Sequence, residues 1–115
     1  MPSLHMGEDV YRFRPEVIDR VVAPGLPGNY VLGEKDDAGM FYPKFIGRSD
    51  TDVRRELEGK LGVLNYGFFK VSTAGPKNAY ELECAQYHGF RTQLDSAAHP
   101  VAPSGSGLTC FLCGR

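Results

Sequence analysis

The sequence predicts a small α+β domain in which helices flank a three-stranded, mainly antiparallel sheet. Two segments rich in Tyr, Val, Phe and Ile lie on either side of a short polar turn, which is the pattern of a β-hairpin. An amphipathic helix, a third strand and a second helix then follow in that order. Because the strands are few and short, they indicate one sheet with the helices packed against it.

The N-terminal part, residues 1–27, is predicted to be an extension with one short helix. Met1–Asp9 shows no regular pattern and is expected to be poorly ordered. Pro15–Val22 starts with proline and glutamate, and its apolar residues have the spacing of an amphipathic helix. The turn sequence Ala-Pro-Gly-Leu-Pro-Gly at 23–28 ends this helix.

Residues 28–90 are predicted to form the folded domain, which starts with a hairpin. Asn29–Gly33 and Met40–Ile46 are its strands, and the polar segment Glu34–Gly39 is its turn. Pro43 has no backbone N–H to donate to a strand ladder, so it indicates an edge strand or a β-bulge.

The middle helix is predicted to begin after Ser49 and Asp52, which have the spacing of a capping box. Gly62 is a suitable residue for its end. Three apolar residues spaced by four form its core-facing stripe: Val53, Leu57 and Leu61. The third strand is predicted over Tyr66–Ser72, which contains two phenylalanines and a valine.

The last helix is predicted over Asn78–Gly89, with the asparagine as its N-cap and the glycine just past its end. Cys84 and His88 then lie one turn apart on the same face of this helix. Glu83 points about 100° away from Cys84, toward a different neighbour.

A structural zinc site is predicted where this helix meets the C-terminal tail, residues 91–115. The tail ends in a Cys-x-x-Cys motif, and the helix supplies a cysteine and a histidine at i, i+4. The predicted ligands are Cys84, His88, Cys110 and Cys113. His99, which lies in the same tail, is the alternative to His88 as the fourth ligand, and the helical spacing from Cys84 favours His88. Four protein ligands leave no open position, so zinc would hold the tail against the domain.

Two other interpretations of the three cysteines stay open. In the first, Cys84 is a small buried apolar residue and the tail is loose. In the second, the Cys-x-x-Cys pair is a redox motif, which the absence of a helix opening at the pair disfavours. An odd number of cysteines argues against a disulfide scaffold in either case.

The bulk composition is that of one ordinary globular domain. The 115 residues are 42% hydrophobic and 23% charged, and the net charge is −1. No run approaches the roughly 18 apolar residues of a membrane-spanning helix, and the N-terminus lacks a signal-peptide pattern. We therefore expect a cytoplasmic protein with no membrane partner. The composition leaves its oligomeric state open.

Four elements of the chain, in order, resemble the GIY-YIG nuclease superfamily. The first two are Gly28-Asn29-Tyr30 on the first strand and Phe45-Ile46-Gly47 at the end of the second. The others are the arginines on the helix that follows and the pattern Ala79-x-x-x-Glu83 on the last helix. The resemblance covers about Gly28–Phe90. It implies a metal-dependent endonuclease that hydrolyses phosphodiester bonds in DNA.

The resemblance also implies a role for particular residues. Tyr30 would position or activate the attacking water, Arg55 would neutralise charge on the phosphate, and Glu83 would hold one Mg²⁺ or Mn²⁺ ion. Seven basic and four acidic residues lie between positions 41 and 78, and this excess would suit a phosphate-bearing partner. The candidate substrate contacts among them are Lys44, Arg48 and Arg54.

Three positions depart from the family pattern: Asn29 replaces the isoleucine of the first triplet, and two further departures bear on the activity. Phe45 replaces a tyrosine and so removes a hydroxyl, and Glu56 occupies the position at which the pattern has its arginine. These departures favour a second hypothesis: a catalytically inactive nuclease-fold domain that serves as a nucleic-acid or protein interaction module with structural zinc. In the simplest interpretation Tyr30 is an ordinary strand aromatic and the arginines and Glu83 are solvated.

Overall fold

A four-stranded antiparallel sheet forms the centre of the computed structural model, which describes residues 3–95 and 98–114. In chain order its elements are β1 (Tyr11–Arg12), α1 (Pro15–Val21), β2 (Gly28–Lys35), β3 (Phe41–Ser49), α2 (Val53–Lys60), β4 (Phe68–Thr73) and α3 (Pro76–Phe90). The predicted class, α+β with a small antiparallel sheet and flanking helices, is confirmed. None of the helices in these residues is long and apolar enough to cross a membrane.

The strand order in the sheet is β1-β4-β2-β3, and every neighbouring pair is antiparallel. The prediction of three strands was wrong, because β1 adds a fourth strand at the outer side of β4. It comprises two residues, Tyr11 and Arg12, which pair with Phe69 and Phe68. A strand of two residues is too short to produce a periodic pattern in the sequence.

The two faces of the sheet carry different helices, because side chains alternate along a strand. Tyr30 and Leu32 on β2 pack with residues of α1 and α2, and Ile18 and Leu57 belong to the same buried cluster. Val31, the residue between them, packs on the other face with Ile46, Phe90 and Leu94. Helix α3 therefore covers the face of the sheet opposite to α1 and α2.

The edge strand β3 contains a β-bulge at the position that Pro43 indicated. Leu32 pairs with Phe45 and Gly33 pairs with Pro43, so Lys44 is the extra residue. In addition, β3 is the last strand in the sheet order, which places Pro43 on an edge strand. Both features that the sequence suggested for this proline are present.

Helix α2 starts as predicted, whereas the ends of α3 differ from the prediction. Asp52 is the N-cap of α2, and its side chain accepts a hydrogen bond from the backbone N–H of Arg55 at 3.1 Å. Helix α3 starts at Pro76 instead of Asn78, because proline is well suited to the first helical position. Gly89 lies inside its last turn and has no left-handed backbone conformation.

The N-terminal and C-terminal segments of the chain both contact α3. The carbonyl oxygen of Leu4 accepts a hydrogen bond from Gln86 Nε2 at 2.9 Å. On the C-terminal side, Cys110 packs with Tyr80 and Cys84 in a small buried cluster. Part of two predicted segments lies outside the described residues. These are Met1 and Pro2 of the N-terminus that was expected to be poorly ordered, and residues 96, 97 and 115 of the predicted tail.

We expect Gly47→Ala to destabilise the fold by about 1–3 kcal/mol, since it overpacks the core. Gly47 lies directly opposite Tyr30 in the sheet, and a Cβ there would overlap the ring of Tyr30. Gly59→Ala is the control: nothing lies within 4 Å of its Cβ, and alanine is the better helix former by about 1 kcal/mol. Urea unfolding of both variants checks the prediction, and a Gly47→Ala protein as stable as the parent would contradict it.

Candidate functional site

A cluster of possible metal ligands lies between the C-terminal end of α3 and the segment that follows it. Four residues each supply one possible ligand atom, and these four atoms all lie within 4.8 Å of one another. The residues are His88, His99, Cys110 and Cys113. We call these four residues the metal-binding cluster. His88 is on α3, and the other three come from residues 98–114, which form no helix or strand.

The distances within the cluster are those of ligands that share one metal ion. His99 Nε2 lies 3.2 Å from Cys113 Sγ, and His88 Nε2 lies 3.5 Å from Cys110 Sγ. A nitrogen and a sulfur bound tetrahedrally to one zinc-sized ion, at about 2.1 and 2.3 Å, are about 3.6 Å apart. The side chains are therefore arranged so that one ion can contact all four.

The ring of His99 is oriented for metal binding by its other nitrogen. Nδ1 lies 2.9 Å from the carbonyl oxygen of Pro100, which accepts a hydrogen bond from it. With the proton on Nδ1, Nε2 presents its lone pair to the cluster. The rings of Tyr87, His88 and His99 also pack edge to face, with centroids 5.1–5.4 Å apart, which restricts both histidines.

The surroundings of Cys110 favour the deprotonated sulfur that a metal ligand requires. Burial of its thiol would raise the pKa, but several hydrogen bonds overcome this effect. The largest come from the backbone N–H groups of Leu112 and Cys113, followed by the side chain of Cys84, and they lower the pKa of Cys110. This lowering favours the thiolate form of Cys110.

Cys84 lies beside the cluster and is not one of its four members. Burial, followed by a hydrogen bond to Cys110, raises the pKa of Cys84 to about 12. Its thiol stays protonated and is hydrogen-bonded to the Cys110 sulfur. The predicted ligand set and the observed cluster therefore differ in one residue. His99, the predicted alternative to His88, lies in the cluster together with His88, and Cys84 is the predicted ligand that is absent from it.

The predicted catalytic residue Glu83 is engaged in an ion pair inside the protein. Its Oε1 accepts a hydrogen bond from Arg48 Nη1 at 2.8 Å. The side chains of Arg48 and Glu83 are 9% and 13% exposed, so water screens this pair only weakly. Arg48 also binds Asp50 at 2.7 Å and the carbonyl oxygen of Val101 at 2.6 Å, and it lies over the ring of Tyr80.

The surroundings of Glu83 act on its ionisation in opposite directions. Burial raises the pKa of Glu83, whereas the charge of Arg48 and the hydrogen bond from it act to lower the pKa. The burial effect is the larger one, so the pKa of Glu83 lies above its usual value. The carboxylate therefore depends on Arg48 to remain charged inside the fold.

Tyr30 is buried on the opposite face of the sheet, with 1% of its surface exposed. Its hydroxyl donates a hydrogen bond to Glu56 Oε1 at 3.2 Å, and its ring stacks on that of Phe45. Burial, Glu56 and the charge of Glu83 all raise the pKa of Tyr30 well above its usual value. Glu83 is thus close enough to act on Tyr30 electrostatically, although the two lie on different faces.

The remaining predicted site residues lie at the surface around α2 and β3. Arg55 is exposed and lines a hollow of about 370 Å³ together with Glu56 and Lys60. Neither Tyr30 nor Glu83 lines that hollow. Arg54 forms ion pairs with Asp19 and Glu58. Lys44 is the extra residue of the β-bulge, and it is partly exposed. Of the predicted substrate contacts, Arg48 is the one that meets Glu83 directly.

Sequence reasoning did not predict the pairing of Arg48 with Glu83. The two residues are 35 positions apart, and no local spacing links them. Only the sheet register, which sets Arg48 opposite Asn29, turns its side chain to the face that α3 covers.

Comparisons of the chain with protein-family profiles, with curated proteins and with solved structures gave no match.

We expect Arg48→Met to destabilise the protein by about 3 kcal/mol at neutral pH, because it leaves the Glu83 carboxylate buried and unpaired. The loss should shrink as the pH falls through the raised pKa of Glu83, where the protonated acid carries no charge. Lys77→Met, which breaks an exposed pair with Glu81, is the control and should cost under about 0.5 kcal/mol. Urea unfolding at neutral and acidic pH measures both, and a loss independent of pH would contradict the argument.

Proposed function

We propose that the chain is a zinc-stabilised domain of the GIY-YIG nuclease type that acts as a nucleic-acid or protein interaction module without cleaving DNA. The observation that carries this proposal is the Arg48–Glu83 ion pair. The carboxylate that the nuclease hypothesis needs for catalysis is occupied by a guanidinium group inside the fold.

The chemistry of the metal-binding cluster fits zinc. Two imidazole nitrogens and two cysteine sulfurs are a donor set that zinc favours, and the lowered pKa of Cys110 supplies one of the thiolates. Because four protein ligands complete the coordination, the ion would have a structural role. It would join α3 to a segment that has no backbone ladder of its own, and its binding would add to folding free energy.

The Mg²⁺ or Mn²⁺ ion implied by the family resemblance does not fit Glu83 as it is placed here. One of its oxygens is bound to Arg48, and burial favours the protonated acid. Glu56, which stands in the arginine position of the family pattern, adds a second carboxylate and accepts the hydrogen bond of Tyr30. Both arrangements argue against cleavage.

A metal-dependent DNA endonuclease is the second candidate, and one observation favours it. The charge of Glu83 is the smallest of the influences that raise the pKa of the Tyr30 hydroxyl, after burial and Glu56, so the two groups are near enough to interact electrostatically. Cleavage would require Glu83 to exchange Arg48 for other partners and Arg55 to turn toward it.

Purified protein should contain close to one zinc ion per chain. His99→Ala should lose most of it, because it removes a member of the cluster, whereas Cys84→Ser should retain it, because Cys84 is not a member. Metal analysis after gel filtration measures this. A zinc content that falls in Cys84→Ser and not in His99→Ala would restore the ligand set predicted from the sequence. Less than about a third of an equivalent in the parent protein would contradict the zinc proposal.

The parent protein should not nick supercoiled plasmid DNA in the presence of Mg²⁺ or Mn²⁺. If nicking is observed, Glu83→Gln decides its origin, because this variant keeps the shape of the side chain and removes its charge. Glu81→Gln is the matched control. Glu81 is an acidic residue half a turn earlier on α3, and its side chain is more exposed than that of Glu83. Nicking that is lost in Glu83→Gln and kept in Glu81→Gln would replace the first candidate by the endonuclease.

A further inference from the structure

A cavity of about 590 Å³ lies between the N-terminal segment, the β2–β3 turn and the end of α3. Its volume is typical of sites that hold small molecules, and none of the residues of the metal-binding cluster or of the Arg48–Glu83 pair lines it. Apolar side chains from three parts of the chain supply most of its wall: Leu4, Val10, Met40, Phe41, Pro43 and Phe90.

Lys70, on β4, places a buried positive charge in this apolar cavity. The residue is 7% exposed, and its Nζ lies 6.0 Å from the centre of the Phe41 ring. The ammonium group donates one hydrogen bond, to the carbonyl oxygen of Gly7 at 2.6 Å. Within residues 3–95 and 98–114 it forms no ion pair.

A buried ammonium group without a direct ion-pair partner is unfavourable, since the protein interior solvates it poorly. Burial accordingly lowers the pKa of Lys70, although the nearby charges of Asp9 and Glu8 oppose this effect. An ammonium has three N–H donors, and Gly7 accepts one of them. The cavity thus combines an apolar wall with a cation that can still donate hydrogen bonds.

We propose that this cavity binds a small carboxylic acid with an apolar body, whose carboxylate pairs with the Lys70 ammonium. The apolar wall would take the body of the ligand, and the carboxylate would supply the direct ion pair that Lys70 does not form within the described residues. Glu8, which lines the cavity, and Asp9, whose charge also acts on Lys70, both oppose an anion, but both are exposed, so solvent screens their charges.

Calorimetric titration with sodium dodecanoate, below its micelle concentration, tests the proposal. The parent protein should bind it, and Lys70→Met should bind at least about tenfold more weakly, because a charge-assisted hydrogen bond is lost. Lys70→Arg should keep most of the affinity. Lys35→Met is the matched control, an exposed lysine at the end of β2 that does not line the cavity, and should leave binding unchanged. Glu8→Gln should bind more tightly.

Three outcomes would overturn the proposal: no binding of dodecanoate to the parent protein, equal binding by Lys70→Met, or equally tight binding of the neutral analogue dodecanol. Amide resonances locate the ligand independently of affinity. Those of Gly7 and Gly39 should shift on binding, whereas that of Gly59, on the far surface of α2, should not. Shifts confined to other regions would also overturn the proposal.

Discussion

The guanidinium group of Arg48 contacts the sheet, α3 and the C-terminal segment at once, and the arrangement of the candidate sites depends on it. Arg48 belongs to the edge strand β3, its ion-pair partner Glu83 belongs to α3, and the carbonyl oxygen of Val101 belongs to the segment that carries the cysteines. A planar group with five donors can satisfy such different acceptors simultaneously. The position of α3 on the sheet and the approach of the C-terminal segment are therefore linked through one side chain.

This linkage also explains why the two ends of the α3 interface differ in polarity. Arg48, Asn29 and Ser72 form one row across three strands, and Asn29 Nδ2 donates to the carbonyl oxygen of Ala79 on α3. Two residues away on β2 and β3, Val31 and Ile46 form an apolar contact with the C-terminal part of α3 instead. Specific polar contacts fix the start of the helix, and hydrophobic burial stabilises its end.

Local sequence signals were sufficient for most of the fold and for part of the candidate site. The hairpin follows from its turn residues, the start of α2 from its N-cap, and the bulge from the N–H that Pro43 lacks. Each of these signals acts within a few positions of the sequence. The pairing of β1, the entry of His99 into the metal-binding cluster and the contact of Arg48 with Glu83 join residues far apart in sequence. They depend on strand register and on the path of the C-terminal segment, which no local pattern encodes.

The bulge in β3 has a consequence for the behaviour of the protein at high concentration. The outer side of a nine-residue edge strand offers backbone groups to which a second copy of the chain can add a strand. At the bulge, the carbonyl oxygen of Lys44 already accepts a hydrogen bond from the backbone N–H of Asp95 at 2.7 Å. Pro43 removes one of these donors, and the extra residue, a lysine, bends the strand and places a charge on it. The irregularity at Pro43 and Lys44 therefore protects the domain from edge-to-edge aggregation.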